Sequence, residues 1–315
     1  MKKKFQYGLL TLFTLINLIS CAAMDKAVTI ATNVGETSGI INQQQGESLR
    51  QSTAAVSRSL EDFTPEQEYY IGRSVGAVVL TKYPALANAN AVAYLNLLGQ
   101  SLAAASDSPE MFAGYHFLIL DSDEINAFAT PGGHVFITRG LIRCCRTEDA
   151  LAAVLAHEIA HIQLRHGMKA IEKSRMSEAL TIIAQEGAKS FGSPEVAQLT
   201  HAFGGAISDI TNSMINKGYS RSYEYQADEA AVSILERIGY NPRALIDMLS
   251  AMGKHIKPGG TDFAKTHPSP ENRIAELEKS HEKTFSTNGK TPLIREKRFK
   301  EALISLLKTP PIGKR

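Results

Sequence analysis

The chain has 315 residues, 43% apolar and 21% charged, with a formal net charge of +2. That apolar content supports a packed core, and the near-neutral balance gives no bias toward nucleic acid or another polyanion. The length fits one principal domain plus targeting and tail segments.

Lys2, Lys3 and Lys4 precede an apolar run from Leu9 to Ile19, which is the layout of a signal peptide over residues 1–20 and too short to span a bilayer stably. Leu18-Ile19-Ser20-Cys21 resembles the lipobox of bacterial lipoproteins, in which cleavage leaves a diacylated cysteine as the new first residue. On that reading Cys21 is the lipidation site and membrane anchor. The alternatives are an ordinary cleaved signal or an N-terminal membrane helix. In lipoproteins an aspartate after the cysteine commonly retains the protein in the inner membrane, so Ala22 leans toward the outer one. Residues 21–60, with Gln43-Gln44-Gln45-Gly46 as an example, lack sustained apolar periodicity and read as a flexible tether. The remaining cysteines, Cys144 and Cys145, are adjacent and imply no disulfide framework.

A folded domain is expected over residues 61–285, with a C-terminal tail over 286–315. Thr64 caps a first helix through Pro65 and two acidic residues, with Ile71, Val75, Val78 and Val79 at helical spacing. A second helix is predicted near Asn90 to Ala105, carrying Val92, Leu95, Leu98 and Leu102 on one face. Tyr115 to Leu120 reads as a strand. Asn126 to Thr130, Pro131-Gly132-Gly133 and His134 to Thr138 read as strand, turn, strand. Thr147-Glu148-Asp149 then caps a long helix through Leu151, Leu155, Ile159 and Ile162 up to Gly167. The stretch from Met176 to Met214 reads as an amphipathic helix over the site rather than a membrane span.

On the long helix, His157-Glu158-Ile159-Ala160-His161 sets two imidazoles one turn apart on one face, close enough to share a tetrahedral zinc ion. Zinc activates water, and Glu158 is placed to take its proton, the requirements of metal-assisted amide hydrolysis. A chance string on a solvated face is the competing reading, opposed by the apolar residues around it. A catalytic zinc needs a third protein ligand, for which Glu224 is the best candidate; Asp228, four residues on, suits the outer nitrogen of a ligand histidine. Taken alone, that pair is a common surface-helix pattern.

From Thr64 to Leu277 the sequence resembles the gluzincin peptidases related to HtpX, to the yeast prenyl-protein protease and, most closely, to BepA-like periplasmic proteases. Asn126 to Gly140, the His-Glu-x-x-His motif, Glu224 to Asp228 and Thr266-His267-Pro268-Ser269 occur in the family's order. The resemblance implies an α+β, mainly helical zincin-like metalloprotease domain with a small β-sheet beside the active-site helix. It implies one zinc on His157, His161 and Glu224, with Glu158 as general base. In BepA-like proteins the histidine matching His267 can cap the zinc from a mobile loop, which implies a latent state; a structural His-Pro turn is the alternative. The chain lacks the hydrophobic spans of membrane-embedded members and is too short for BepA's helical repeats, so substrate recruitment is expected to differ.

Zincin logic further suggests that His134 to Thr138 is an edge on which an extended peptide pairs. Asn126 and His134 read more readily as satisfied structural residues than as substrate contacts. His116, His166, His201, His255 and His281 have no partner at ligand spacing and stay outside the expected site. The leading expectation is a zinc metalloendopeptidase on the periplasmic side of the cell envelope, clearing unfolded or misassembled envelope proteins, with the outer-membrane assembly machinery as a further partner. Two rivals stand beside it: a periplasmic chaperone or adaptor lipoprotein whose zinc site is largely latent, and a zinc hydrolase of a non-peptide amide such as a cell-wall bond.

Overall fold

The computed structural model describes residues 21–39, 42–47, 50, 63–170, 209–255, 267, 270–285 and 292–308. The signal segment, the stretch 171–208 with His201, and Thr266, Pro268 and Ser269 lie outside them, and the side chains of Cys21 and His255 are likewise not described. The chain divides into two compact units.

The first unit contains α1, Cys21–Thr37. Here the segment expected as an irregular tether is helical, because Ala22, Ala23, Met24, Lys26 and Ala27 favour helix strongly. Beyond it, Arg50 pairs with Glu36 at 2.9 Å and with Glu47 at 3.0 Å. No helix among the described residues is long and apolar enough to cross a membrane.

The second unit, 63–171 with 207–315, is an α+β domain. Its first helix, α2 (Pro65–Lys82), starts at a capping box in which Thr64 Oγ1 accepts from the Gln67 N–H and Gln67 Oε1 accepts from the Thr64 N–H. α3 (Ala89–Ala104) follows and buries Leu95, Leu98 and Leu102. Three strands come next, β1 (His116–Leu120), β2 (Ala127–Thr130) and β3 (His134–Thr138). Their order is β1-β3-β2, with β3 parallel to β1 and antiparallel to β2. The β2–β3 turn places Gly132 at φ 74° and Gly133 at φ 105°, a left-handed backbone that side chains rarely adopt.

This order corrects one expectation. β3 is the central strand, its backbone paired on both sides, so it offers no edge to a peptide. A short apolar run marks β3 as a buried strand but does not say which neighbours it takes; β3 comes back alongside β1, with β2 on its other side.

After β3 the chain forms α4 (Arg139–Cys144) and α5 (Glu148–Gln163). The Thr147 hydroxyl caps α5 by accepting the Ala150 N–H. Every residue of α5 from Glu148 to Ile162 is buried, so it is the central element of the core rather than an amphipathic surface helix. Burial of each of Leu151, Leu155 and Ile159, all fully enclosed, contributes at most about 1.5–3 kcal/mol. α6 (Arg221–Arg237), capped by Ser220, packs along α5, and α7 (Arg243–His255) adds to the same core.

α8 (Pro270–Ser280), the short α9 (Glu282–Phe285) and α10 (Leu293–Lys308) complete the unit. The segment expected as a tail is therefore partly core: α10 buries Phe299, Leu303 and Leu306, at the i, i+4, i+7 spacing of one helix face. Its Arg298 donates to the buried Glu148, which also accepts from Tyr94 at 2.8 Å and Tyr240 at 2.7 Å, and its Arg295 pairs with Asp149 at 3.1 Å. The start of α5 is thus clamped by the last described helix.

Candidate metal centre

α5 and α6 face each other, and their side chains meet in one buried cluster. His157 Nε2 and His161 Nε2 are 3.1 Å apart. Glu224, in the first turn of α6, places Oε2 3.5 Å from His157 Nε2 and Oε1 3.5 Å from His161 Nε2. His267 enters from outside both helices, with Nδ1 3.0 and 3.1 Å from the two Glu224 oxygens and 3.4 Å from His157 Nε2. One donor atom from each of the four residues lies within 4.8 Å of all the others.

These separations test whether a metal ion suits the site. Bonds of about 2.0–2.1 Å in a tetrahedron put neighbouring donors about 3.3 Å apart, close to the 3.0–3.5 Å spacings here. Charge points the same way. Glu224 and Asp228, both held as carboxylates, are buried with one guanidinium, Arg273, and with Glu158 beside them; an acidic donor set of this kind suits a divalent cation. The residues fit a metal.

The surrounding groups orient the donors. Asp228 Oδ1 lies 3.0 Å from His157 Nδ1, so Nδ1 carries the proton and Nε2 is free to bind. Asp228 is gripped in turn by Arg273, whose Nη1 also lies 3.1 Å from Glu224 Oε2. Burial opposes ionisation of Glu224, but His267 and Arg273 beside it hold its carboxyl well below the usual range. Burial likewise works against the Asp228 carboxylate, and Arg273 overrides it to lower the pKa. Glu158 behaves differently: burial raises it, against the opposing pull of His267 and His157. Its Oε1 has no hydrogen-bond partner among the described residues, with His267 Nε2 3.7 Å away.

The structure thus brings together His157, Glu158, His161, Glu224, Asp228 and His267. Asn126 stays outside: it is buried just before β2, its Oδ1 accepting the Ala127 N–H at 2.9 Å. His134 stacks between Tyr69 and His116. His116 bonds to the Ala113 carbonyl oxygen at 2.9 Å, and His281 pairs with Glu229 at 2.6 Å. Cys144 and Cys145 are free, and burial pushes both thiols up.

Sequence reasoning missed three contributors. His166 is wholly buried against His161, Nδ1 to Nδ1 at 2.9 Å, and burial lowers its pKa to about 4. Arg273 stands six residues after His267, a spacing that by itself names no role. Tyr219, stacked on His161 with ring centroids 4.5 Å apart, carried no signal at all. His166 follows His161 by five residues, a spacing that one helix face does not bring together; Arg165, at φ 55°, turns the chain back to make the contact.

An α+β domain whose buried helix presents His-Glu-x-x-His to a glutamate on a facing helix is the arrangement of a gluzincin metallopeptidase. The chain belongs to peptidase family M48, whose model matches residues 90–281. Similar proteins include the beta-barrel assembly-enhancing protease of Escherichia coli (strain K12), 30% identical over 213 residues, 66% of this chain and 42% of the relative. The protein of the same name from Yersinia pestis is 28% identical over 249 residues, 76% of this chain and 48% of the relative. The mitochondrial metalloendopeptidase OMA1 of Schizosaccharomyces pombe is 33% identical over 160 residues, 49% of this chain and 42% of the relative. The chain spans less than half the length of these relatives.

Proposed function

We propose that this protein is a zinc-dependent endopeptidase that cleaves unfolded or misassembled proteins of the bacterial cell envelope. The observation that carries the reading is the buried donor set of His157, His161 and Glu224 at tetrahedral spacing, with the unpartnered Glu158 oxygen beside it. Bound zinc supplies Lewis-acid polarisation of a peptide carbonyl and activation of water. Glu158, raised by burial, takes a proton from the attacking water and returns it to the leaving amine. His157 is held in orientation through Asp228.

His267 sets the state of the site. Its Nδ1 stands where a tetrahedral ion would keep a position open for water. We read this as latency: His267 must leave before Glu158 has a water to deprotonate. The same observation favours a second reading, a chaperone or adaptor whose metal site is throttled most of the time. For location, the lipobox-like Leu18-Ile19-Ser20-Cys21 supports a signal over 1–20, a lipid on Cys21, and a place on the periplasmic face of the outer membrane. Relatives named for enhancing β-barrel assembly support a link to the outer-membrane assembly machinery.

The test is zinc content and cleavage of casein by the purified protein, comparing wild type, Glu158→Gln and His267→Ala. Bound zinc with Glu158-dependent cleavage supports the peptidase. Bound zinc with no cleavage in any variant favours the adaptor.

A further inference from the structure

The two ligand histidines differ in what stands behind them. Behind His157 is a carboxylate, Asp228, 3.0 Å from Nδ1. Behind His161 is a second imidazole, His166, whose other nitrogen, Nε2, lies 3.3 Å from Gln226 Oε1. With His161 Nε2 facing the other donors, its Nδ1 carries the proton, and His166 Nδ1 must then accept it. His166 therefore keeps its own proton on Nε2, where Gln226 Oε1 accepts it. An amide oxygen cannot donate, so Gln226 selects that tautomer.

The rings are fixed as well as paired. Tyr223 stacks on His166 with centroids 4.4 Å apart and planes 7° from parallel, and Tyr219 stacks on His161 at 21°. Tyr223 and Gln226 stand on α6 beside Glu224, so the helix that supplies one donor also sets the orientation of another.

We propose that His166 is a positioning residue for the metal: it accepts the Nδ1–H of His161, fixes that ring with Nε2 toward the ion, and is held in its accepting tautomer by Gln226. The inference rests on the metal reading of the cluster. It assigns His166 no contact with substrate and no proton transfer.

The test uses the full chain and zinc itself. Affinity is measured by competition with a chromogenic chelator for wild type, His166→Leu and His166→Asn, alongside the visible spectrum of the cobalt-loaded proteins and the melting temperature of the metal-free ones. Leucine fills space without accepting a hydrogen bond, whereas the asparagine oxygen sits near the lost Nδ1 and accepts it. Zinc binding roughly 10- to 100-fold weaker in His166→Leu, largely restored in His166→Asn, with a cobalt spectrum altered only in the former, is the expected result. Wild-type affinity in His166→Leu overturns the proposal, as does an Asn variant no better than Leu when both metal-free proteins melt like wild type. A wild-type protein that binds no zinc overturns the metal reading itself, and the proposal with it.

Discussion

Arg273 holds Asp228 by two parallel hydrogen bonds, Nε to Oδ2 at 2.7 Å and Nη2 to Oδ1 at 2.6 Å. This fork joins α8 to α6 and fixes the carboxylate that orients His157. Replacing Arg273 with Gln leaves Asp228 and Glu224 buried without their counter-charge, and about 3–5 kcal/mol of stability is expected to go. Urea unfolding should show the deficit most strongly in the metal-free protein, because added zinc restores positive charge beside Glu224. Equal deficits with and without zinc would argue that the guanidinium acts by packing alone.

Glu158→Gln is expected to keep wild-type zinc content, since Glu158 is not among the clustered donors, while cleavage falls on the order of 10²–10⁴-fold. Metal analysis and initial rates on casein check both halves. A variant that loses the metal as well would give Glu158 a structural part in the site.

His267→Ala removes the donor at the fourth position and should raise cleavage, with a modest loss of zinc affinity. Initial rates at saturating zinc are the measurement. Unchanged or lower activity would count against latency through His267.

Acid stability should depend on Glu148. Burial would raise its pKa, but hydrogen bonds from Arg298, Tyr240 and Tyr94 lower it below the ordinary value of 4.5. A folded-state pKa below the unfolded one contributes stability that is present above about pH 4.5 and is lost as pH falls through the folded value. Glu148→Gln is expected to cost about 2–3 kcal/mol at neutral pH and to flatten the stability profile below pH 4.5, as read from denaturation midpoints across pH.

Local pattern carried much of the fold and site into view. The cap at Thr64, the apolar run of α5, the i, i+4 histidines and the Glu224–Asp228 spacing are short-range signals, and each lands where helical geometry puts it. What escaped depends on distant partners. The central place of β3 is set by β1, which its own apolar run does not name. His166 reaches His161 only through a left-handed residue that ends the helix. Arg273 matters through carboxylates 45 or more residues earlier in the chain, and α10, read as a tail, owes its place to a glutamate 150 residues before its arginine.

That last separation orders events in time as well as space. During synthesis the helix bearing His157 and His161 emerges long before Arg298, so Glu148 spends that interval without its cation. Contacts this far apart in sequence close slowly, and chains fold as they leave the ribosome from the N-terminal side. The helix that carries both histidines is therefore made early, and its start is locked only when the last described helix arrives.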